Sequence, residues 1–255
     1  LKKKIVFMGG KQVGYSSLLF LLEQSEKLNA EVVAVFENSN SPLSNKEHSL
    51  QILADQFNIP QYSDKSHLIQ IPNVDFIFSV QYNQILTPEE IEVAKLLAVN
   101  LHMAPLPEYR GCNQFSFALI DKAEEFGTTL HVLEPGTDAG AIIFEKRFKI
   151  RENEFVTDLY NRTLGFSILL FQEKLEAMLN RDFQLTPQPE LFDERGTSFH
   201  FRNEIEQLKR IDASWPLEKQ KRYFRATFFP AFEPPVLVSE EGEKQLSFGW
   251  YNQLK

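Results

Sequence analysis

The sequence predicts an α/β fold, with a Rossmann-like, mostly parallel sheet flanked by helices and a small C-terminal α+β subdomain. In residues 1–181, short apolar runs typical of buried strands alternate with segments of helical periodicity, as in βαβ units. From residue 182 the chain becomes irregular, polar and rich in proline and aromatic residues. We therefore predict a Rossmann-like domain over 1–181 and a small subdomain, with a helix and a β-hairpin, over 182–255.

The first part of the larger domain contains apolar runs that predict strands at 5–8, 32–36 and 74–80. Apolar residues recurring at three and four predict helices at 16–25 and 50–57. Residues 38–48, rich in Asn and Ser, are expected to form a loop. Thr87-Pro-Glu-Glu90 combines an N-cap residue, a proline at the first helical position and a capping-box glutamate, so a helix is expected to continue through 91–95.

Later residues continue the same alternation. Further strands are predicted at 97–102, 128–133 and 141–148, and helices at 113–121 and 156–179. Beyond residue 181, Asp212-Ala-Ser-Trp-Pro216 is expected to cap a helix that runs towards Ala226. Two short strands are then predicted at 236–238 and 245–250, separated by a Glu-Glu-Gly turn.

Composition and charge restrict the class of protein. The chain has 255 residues and a formal net charge of -8, which disfavours a nucleic-acid surface because phosphate binding relies on clustered Lys and Arg. Its one cysteine, Cys112, excludes an intrachain disulfide and fits a reducing cytoplasm. The apolar stretches are too short for a transmembrane helix. We therefore expect a cytoplasmic protein with no membrane or nucleic-acid partner, and we expect it to be a homodimer.

The Gly9-Gly-Lys-Gln-Val-Gly14 turn follows the first predicted strand. Glycines between a strand and a helix let backbone amides approach a phosphate. The segment lacks both the G-x-G-x-x-G spacing of dinucleotide-binding proteins and the Gly-Lys-Ser/Thr of a Walker motif. We interpret it as a tight structural turn.

Three polar residues are the strongest candidates for chemistry. Asn100 and His102 alternate at the end of a predicted strand, so both point to one face. Asp138 lies in a loop between Gly136 and Gly140, where the backbone can approach a ligand closely. Each residue alone has a structural interpretation, since a single His is more often a hydrogen-bonded structural side chain than a catalyst. Ligands bind beyond the carboxyl ends of strands in open α/β sheets, which favours function when the three occur together.

Two stretches resemble the core of the folate-dependent formyltransferase family. They are Asn100-Leu-His-Met-Ala-Pro-Leu-Pro-Glu-Tyr-Arg-Gly111 and Phe126-Gly-Thr-Thr-Leu-His-Val-Leu-Glu-Pro-Gly-Thr-Asp138-Ala-Gly-Ala-Ile-Ile143. The resemblance covers about the first 180 residues. It implies that Asn100, His102 and Asp138 occupy the catalytic positions and that the formyl donor is N10-formyltetrahydrofolate. No metal is expected, because His48, His67 and His200 lack metal-ligand spacing.

The chemistry of formyl transfer to an amine matches these side chains. The amide of Asn100 can donate to the developing oxyanion, a contribution of about 3 kcal/mol in acyl-transfer sites. His102 can relay a proton as base and then acid, and Asp138 can orient and stabilise its imidazole. No serine or cysteine lies in a nucleophile motif, so we expect direct transfer without an acyl-enzyme. His131, in the strand segment Thr-Leu-His-Val, could also join the site, but we interpret it as a hydrogen-bonded structural residue.

The resemblance also suggests where the donor binds. The pterin is expected among the main-chain groups of two segments, 79–85 and 133–138. The residues assigned to the donor site on this basis are Ser79, Gln81, Tyr82, Gln84, Ile85, Leu133 and Gly136.

The acceptor is indicated by the C-terminal part. Residues 211–216 and 223–235 resemble nucleotide-sugar N-formyltransferases, which formylate amino-dideoxy sugars for surface polysaccharides such as O-antigen. The predicted acceptor-site residues are Met103, Tyr109, Arg110, Asn113, Gln114 and Arg225. The C-terminal aromatic residues are either ordinary core or a platform for a base, with Arg222 or Arg225 near a phosphate. Two alternatives remain open at this point: a methionyl-tRNA formyltransferase-like enzyme, and, outside the family, a nucleotide-binding oxidoreductase.

Overall fold

A computed structural model describes residues 1–37 and 42–254, and its central feature is a seven-stranded sheet. The strands of this sheet are β1 (Lys3–Gly9), β2 (Ala30–Glu37), β3 (Gln61–Tyr62), β4 (Phe76–Val80), β5 (Leu97–His102), β7 (Glu125–Val132) and β8 (Ile142–Lys149). Their order across the sheet is β3-β2-β1-β4-β5-β7-β8. Pairing is parallel from β3 to β5, and β7 runs antiparallel to both of its neighbours. The predicted α/β class and mostly parallel sheet are confirmed.

Short strands and helices complete the fold. The other strands are β6 (Arg110–Gly111), β9 (Phe199–His200), β10 (Arg210–Asp212), β11 (Val236–Ser239) and β12 (Gly242–Gln245). The α-helices are α1 (Lys11–Gln24), α2 (Leu50–Gln56), α3 (Pro88–Ile91), α4 (Gln114–Ile120), α5 (Val156–Asn180), α6 (Phe192–Arg195), α7 (Ile205–Leu208), α8 (Leu217–Thr227) and α9 (Phe248–Gln253). Turns of 3-10 helix lie at Lys46–His48, Lys65–Gln70, Gln188–Leu191 and Arg202–Glu204. Of the loop predicted over 38–48, residues 38–41 lie outside the described residues.

The core lies on both faces of the sheet, as expected for parallel strands covered by helices. Along β1 the side chains alternate: Ile5 and Phe7 join one apolar cluster, and Val6 and Met8 join the other. All four are fully buried. Phe7 also contacts Phe171 of α5 edge to face, with ring centroids 6.3 Å apart. Burial of each such side chain stabilises the fold by about 1.5–3 kcal/mol, so the central strands hold the edge at which the candidate residues lie.

Two helices differ from their predicted bounds. Helix α1 begins at Lys11, five residues before the predicted start at 16, because Gly14 lies inside the helix and allows it to approach β4. Helix α3 has the predicted capping box, with Thr87 and Glu90 bonded reciprocally, but it ends at Ile91. The prediction that this helix continues through 91–95 was wrong. The amide of Lys95 donates to Val74 O, and this hydrogen bond directs the chain into β5.

The C-terminal strands also differ in part from the prediction. β11 and β12 form the predicted hairpin, and β10 pairs with β11 in parallel. The strand predicted at 245–250 is wrong: β12 ends at Gln245, and α9 begins after Ser247, whose hydroxyl accepts from the amide of Trp250. Aromatic residues in α9 pack at helical spacing, since Phe248 and Tyr251 both contact Phe155.

A separate two-stranded parallel sheet connects the C-terminal part to the segment that follows β5. β6 pairs with β9 through Arg110↔Phe199 and Gly111↔His200. Gly111 has φ +84, and a Cβ there would lie 2.3 Å from His200 O, so this pairing needs glycine. The small C-terminal α+β part is present, and the division at 181/182 stays a prediction.

Candidate active site

The candidate residues lie where β4, β5 and β7 run side by side. Asn100 and His102 occupy alternate positions on β5, as predicted. Asn100 is paired in register with Ser79 on one side and His131 on the other. Antiparallel partners lie close enough for their side chains to meet, so the register itself brings His131 to Asn100.

Four side chains form a polar cluster, which we define as Asn100, His102, His131 and Asp138. The amide Nδ2 of Asn100 lies 3.0 Å from Nε2 of His131. Oδ1 of Asp138 lies 3.5 Å from Nδ1 of His102 and 3.6 Å from Nε2 of His131. The structure therefore brings the predicted amide, imidazole and carboxylate together, with a second imidazole between the amide and the carboxylate.

His131 was interpreted as a hydrogen-bonded structural residue that could also join the site, and its geometry combines both features. Its Nδ1 lies 2.9 Å from Val132 O, an oxygen that can only accept, so Nδ1 carries a proton. In the neutral ring, Nε2 then accepts a hydrogen bond from the Asn100 amide. The hydrogen bond to Val132 is the structural role that was expected, and the contact with Asn100 makes His131 part of the cluster.

The loop that carries Asp138 is held by contacts from distant residues. Asp138 has φ 52, in the left-handed region. The amide of Gly111 donates to Asp138 Oδ2 at 2.9 Å, and the buried Gln188 donates from Nε2 to Asp138 O and Gly140 O, each at 2.8 Å. A Cβ on Gly140 would lie 1.9 Å from Val132 O, so the loop packs directly on β7. Gln188 gave no recognisable signal in the sequence, because it lies between two prolines in an irregular segment.

Electrostatics keeps the Asp138 carboxyl ionised. Burial by itself would raise the pKa of this group. The positive charge of a protonated His102, the contact with the His131 ring and the hydrogen bond from the Gly111 amide act in the opposite direction and hold the pKa of Asp138 well below its usual range. The cluster therefore contains a fixed negative charge beside two imidazoles.

His102 is buried, and one hydrogen bond anchors its ring while another anchors its backbone. Its Nε2 donates to Tyr109 O at 2.8 Å, and its own carbonyl accepts from Thr128 Oγ1 at 3.0 Å. Nδ1 faces Asp138, so a proton on Nδ1 is shared with an ionised carboxylate. This arrangement suits a ring that alternates between neutral and charged forms.

Two of the predicted acceptor residues have side chains in the core. Met103 is 1% exposed and belongs to the main apolar cluster. Tyr109 is 8% exposed, and its hydroxyl donates to Asp121 Oδ2 at 3.5 Å; burial, together with Asp121, raises the pKa of this phenol. Apolar packing directs both side chains inwards, and the carbonyl of Tyr109 contacts the cluster through His102, so their assignment to the acceptor pocket stays a prediction.

The other predicted acceptor residues lie on several elements. Arg110 donates from Nε to Ser198 O at 3.4 Å, and its guanidinium lies over the Phe192 ring. Asn113 precedes α4 and donates from Nδ2 to Phe201 O at 2.9 Å and Arg202 O at 3.1 Å. Gln114 is the half-buried first residue of α4. Arg225 donates to the Tyr251 hydroxyl at 3.2 Å inside the C-terminal part, so this guanidinium already has a partner.

The predicted donor residues lie on β4, in the turn that follows it and in the segment after β7. Ser79 is buried next to Asn100, and Gln81 accepts from Lys11 Nζ at 2.8 Å. Among the described residues, the Tyr82 hydroxyl is buried without a hydrogen-bond partner, and burial raises its pKa to about 12. The others are placed as follows: Gln84 is half-buried, Ile85 is 71% exposed, Leu133 donates its amide to Ala98 O, and Gly136 is exposed with φ 111.

The described residues contain neither a cluster of metal ligands nor a helix that could span a membrane. Within residues 1–37 and 42–254, no group of three or more His, Cys, Asp and Glu side chains is arranged to hold a metal ion. Within the same ranges, the helices are too short or too polar to cross a bilayer.

The formyl transferase family matches residues 3–173, and the chain belongs to this family. GDP-perosamine N-formyltransferase of Brucella melitensis is 30% identical over 163 residues, which are 64% of this chain and 60% of that protein, so the chain spans about three fifths of this relative. Methionyl-tRNA formyltransferase of Clostridium tetani is 24% identical over 261 residues, covering 93% of this chain and 82% of that protein.

Solved structures support the fold. The N-formyltransferase from Helicobacter canadensis, in complex with folinic acid and dTDP-3-aminofucose, aligns with a TM-score of 0.76 and 23% identity, covering 92% of this chain and 84% of that one. A 4-N formyltransferase from Francisella tularensis aligns with a TM-score of 0.76 and 18% identity, covering 96% of this chain and 97% of that one. At these identities the likeness shows a common architecture.

Proposed function

We propose that this protein transfers a formyl group from N10-formyltetrahydrofolate to the amine of a nucleotide-linked amino-dideoxy sugar. The observation that carries the proposal is the polar cluster, in which successive contacts of 3.0 to 3.6 Å link the amide, both imidazoles and the carboxylate. Its position at the carboxyl ends of β4 and β5 is where open α/β sheets bind ligands. Membership of the formyl transferase family supports acyl transfer over the oxidoreductase alternative.

Asn100 stabilises the tetrahedral intermediate in this proposal. The acceptor nitrogen attacks the formyl carbon, a C–N bond forms, and negative charge develops on the formyl oxygen. One N–H of the Asn100 amide is hydrogen-bonded to His131, and this bond fixes the orientation of the amide. The second amide proton is left for the oxyanion, and an oriented donor of this kind contributes about 3 kcal/mol.

His102 and Asp138 move the proton. As the new bond forms, the acceptor nitrogen must lose a proton, and as the old bond breaks, N10 of the folate must gain one. His102 takes the first proton and returns it to N10, so that the ring is unchanged after one cycle. The ionised Asp138 carboxylate, 3.5 Å from Nδ1, stabilises the charged imidazole between these steps. No covalent formyl-enzyme is required.

The segments that carry Ser79, Tyr82 and Gly136 offer groups that suit the donor. A pterin presents hydrogen-bond donors and acceptors along its edge, and it requires partners of both kinds. Ser79 lies next to Asn100, and the unpartnered Tyr82 hydroxyl offers a donor in the part of the chain that the structure describes. The 133–138 loop adds main-chain groups near exposed Gly136. We assign the donor to this side of the cluster.

A nucleotide sugar is the acceptor that the comparisons and the charge favour together. Sequence relatives and aligned structures include a GDP-perosamine N-formyltransferase and an N-formyltransferase in complex with dTDP-3-aminofucose. A formal net charge of -8 suits a small substrate better than tRNA, although methionyl-tRNA formyltransferases are also among the relatives. On this basis we also propose a homodimeric cytoplasmic enzyme that supplies surface-polysaccharide precursors.

The proposal is tested by incubating the protein with N10-formyltetrahydrofolate and a panel of amino-sugar nucleotides. We expect one sugar nucleotide to gain the mass of one CO unit in mass spectrometry. Methionyl-tRNA serves as the competing acceptor in a parallel reaction. Formylation of the tRNA with no formylated sugar would contradict the proposal, and so would the absence of transfer to every acceptor.

A further inference from the structure

Lys11 lies in an unfavourable electrostatic environment beside the candidate active site. It is the first residue of α1, where the helix dipole is positive and a cation is disfavoured. Its backbone has φ 57, a conformation that is strained for a residue with a Cβ. Burial lowers the pKa of Lys11, and the neighbouring charge of Arg202 lowers it further, while Cys112 has the opposite effect. Among the described residues, Lys11 Nζ donates to the neutral side chain of Gln81, with Nζ 2.8 Å from Oε1.

Arg202 supplies the second positive charge. It is exposed, and within the described ranges no carboxylate pairs with its guanidinium. The backbone around it is fixed, because Asn113 donates to both Phe201 O and Arg202 O, and the amide of Cys112 donates to His200 O at 2.9 Å. Cys112 directly follows Gly111, whose amide contacts Asp138. The two cations are therefore close to each other and to the polar cluster.

Unneutralised cations of this kind are explained by an anionic ligand. Burial, the helix dipole and mutual repulsion each oppose the charge on Lys11, and a bound anion relieves all three. Protein strain that persists without a structural benefit is typical of functional sites. We propose that Lys11 and Arg202 bind the diphosphate of a nucleoside diphosphate, whose sugar then reaches Asn100 and His102.

The base has a platform on the same segment. Phe199 and Phe201 flank His200, are 40% and 64% exposed, and contact each other edge to face at 5.1 Å. Exposed aromatic rings can stack on any nucleotide base, because every base has a π-face. A cation beside the rings holds the phosphates and so positions the base on them. Arg225, which was predicted for the phosphate, is bonded to Tyr251 instead. The 199–202 segment thus takes the role that the sequence suggested for the aromatic residues further along the chain.

The proposed subsite depends on the proposed function, and it assigns the residues that bind the nucleotide part of the acceptor. The test is calorimetric titration of the full chain with UDP, GDP, dTDP, the matching nucleosides and pyrophosphate. The variants are Lys11→Gln, Arg202→Gln and Phe201→Leu. Lys2→Gln and Arg151→Gln are matched controls, because both residues are exposed: Lys2 precedes β1 at the amino end of the parallel strands, and Arg151 follows β8 beyond Lys149, which pairs with Glu125 and not with the part of β7 that carries His131.

Specific changes in affinity are expected. Loss of a charge-assisted contact should weaken nucleoside diphosphate and pyrophosphate about tenfold in Lys11→Gln and in Arg202→Gln. Phe201→Leu should weaken the nucleoside diphosphate about tenfold and leave pyrophosphate unchanged. Without ligand, Lys11→Gln should melt no lower than the wild type, because the charge it removes does not stabilise the fold. Both controls should bind as the wild type does.

Two results would overturn the subsite. One is wild-type affinity in both charge variants, and the other is no binding of any nucleoside diphosphate to the wild type at millimolar concentration. Formyl transfer to a sugar nucleotide with unchanged KM in Lys11→Gln and Arg202→Gln would refute the subsite and leave the proposed function intact. Charge-dependent nucleotide binding without formyl transfer would refute the proposed function and keep the subsite.

Discussion

Gln188 provides a sharp test of how the site is assembled, because it belongs to no catalytic pair and still fixes the Asp138 loop. Its Nε2 donates to Asp138 O and Gly140 O, each at 2.8 Å, and the side chain is 2% exposed. Gln188→Met keeps the length of the side chain and removes both donors. Two buried carbonyls then lose a partner, at about 1–3 kcal/mol each.

A second effect of Gln188→Met raises the free energy of unfolding. Gln188 Oε1 is buried and has no partner among the described residues, so methionine also removes one unsatisfied acceptor and recovers a cost of similar size. The net loss in the free energy of unfolding should therefore be about 1–3 kcal/mol. This is within the usual stability of a domain, so the variant should fold. A shift of about 1 Å in the Asp138 loop can reduce turnover a hundredfold, and we expect a fall in kcat of about tenfold to a hundredfold.

Urea unfolding and steady-state formyl transfer measure the two effects. Gln220→Met is the matched control, because Gln220 Nε2 also donates to two carbonyls, Ala213 O at 3.1 Å and Trp215 O at 2.7 Å, in the C-terminal part. The control should lose stability and keep its kcat. Wild-type kcat in Gln188→Met would refute the idea that this contact positions Asp138.

Three further predictions concern the same cluster. His131→Phe should lower kcat about tenfold or more with little change in KM, because the Asn100 amide loses its orienting partner; wild-type kcat would remove His131 from the mechanism. The depressed pKa of Asp138 contributes stability that is complete above its unfolded value, near pH 4, and is lost as the pH falls towards the folded value, so acid titration of unfolding should be steeper for the wild type than for Asp138→Asn. Equal slopes would contradict this. Gly140→Ala should unfold or inactivate the protein, since its Cβ would lie 1.9 Å from Val132 O, while Gly165→Ala, with open space around it, should be neutral or stabilising in thermal melts.

Local patterns predicted the sheet and part of the site. Alternation along 97–102 placed Asn100 and His102 on one face. The glycines around Asp138 were predicted to let the backbone approach a ligand, whereas the structure shows Gly140 packed against Val132 of β7. The fold class followed from the alternation of buried strands and helices. These features depend on residues close in sequence, where apolar periodicity is informative.

Contacts between distant residues could not be predicted in the same way. His131 meets Asn100 because of the register between β5 and β7, and the contact of Gln188 with Asp138 joins positions 50 residues apart. The segment 248–253 forms a helix where a strand was predicted, since a short aromatic run fits either periodicity and packing on Phe155 decides. Arg202 gave no motif at all and becomes notable only beside Lys11.

The most direct test of the central claim is the single-turnover rate of formyl transfer in Asn100→Ala, His102→Ala and Asp138→Ala, compared with the wild type, after the acceptor has been identified. The account predicts a rate lower by orders of magnitude in each variant, with the donor still bound, the fold unchanged by circular dichroism and no formylated enzyme in the quenched samples. Wild-type rates in the three variants, or a formyl group covalently attached to the chain during turnover, would contradict it.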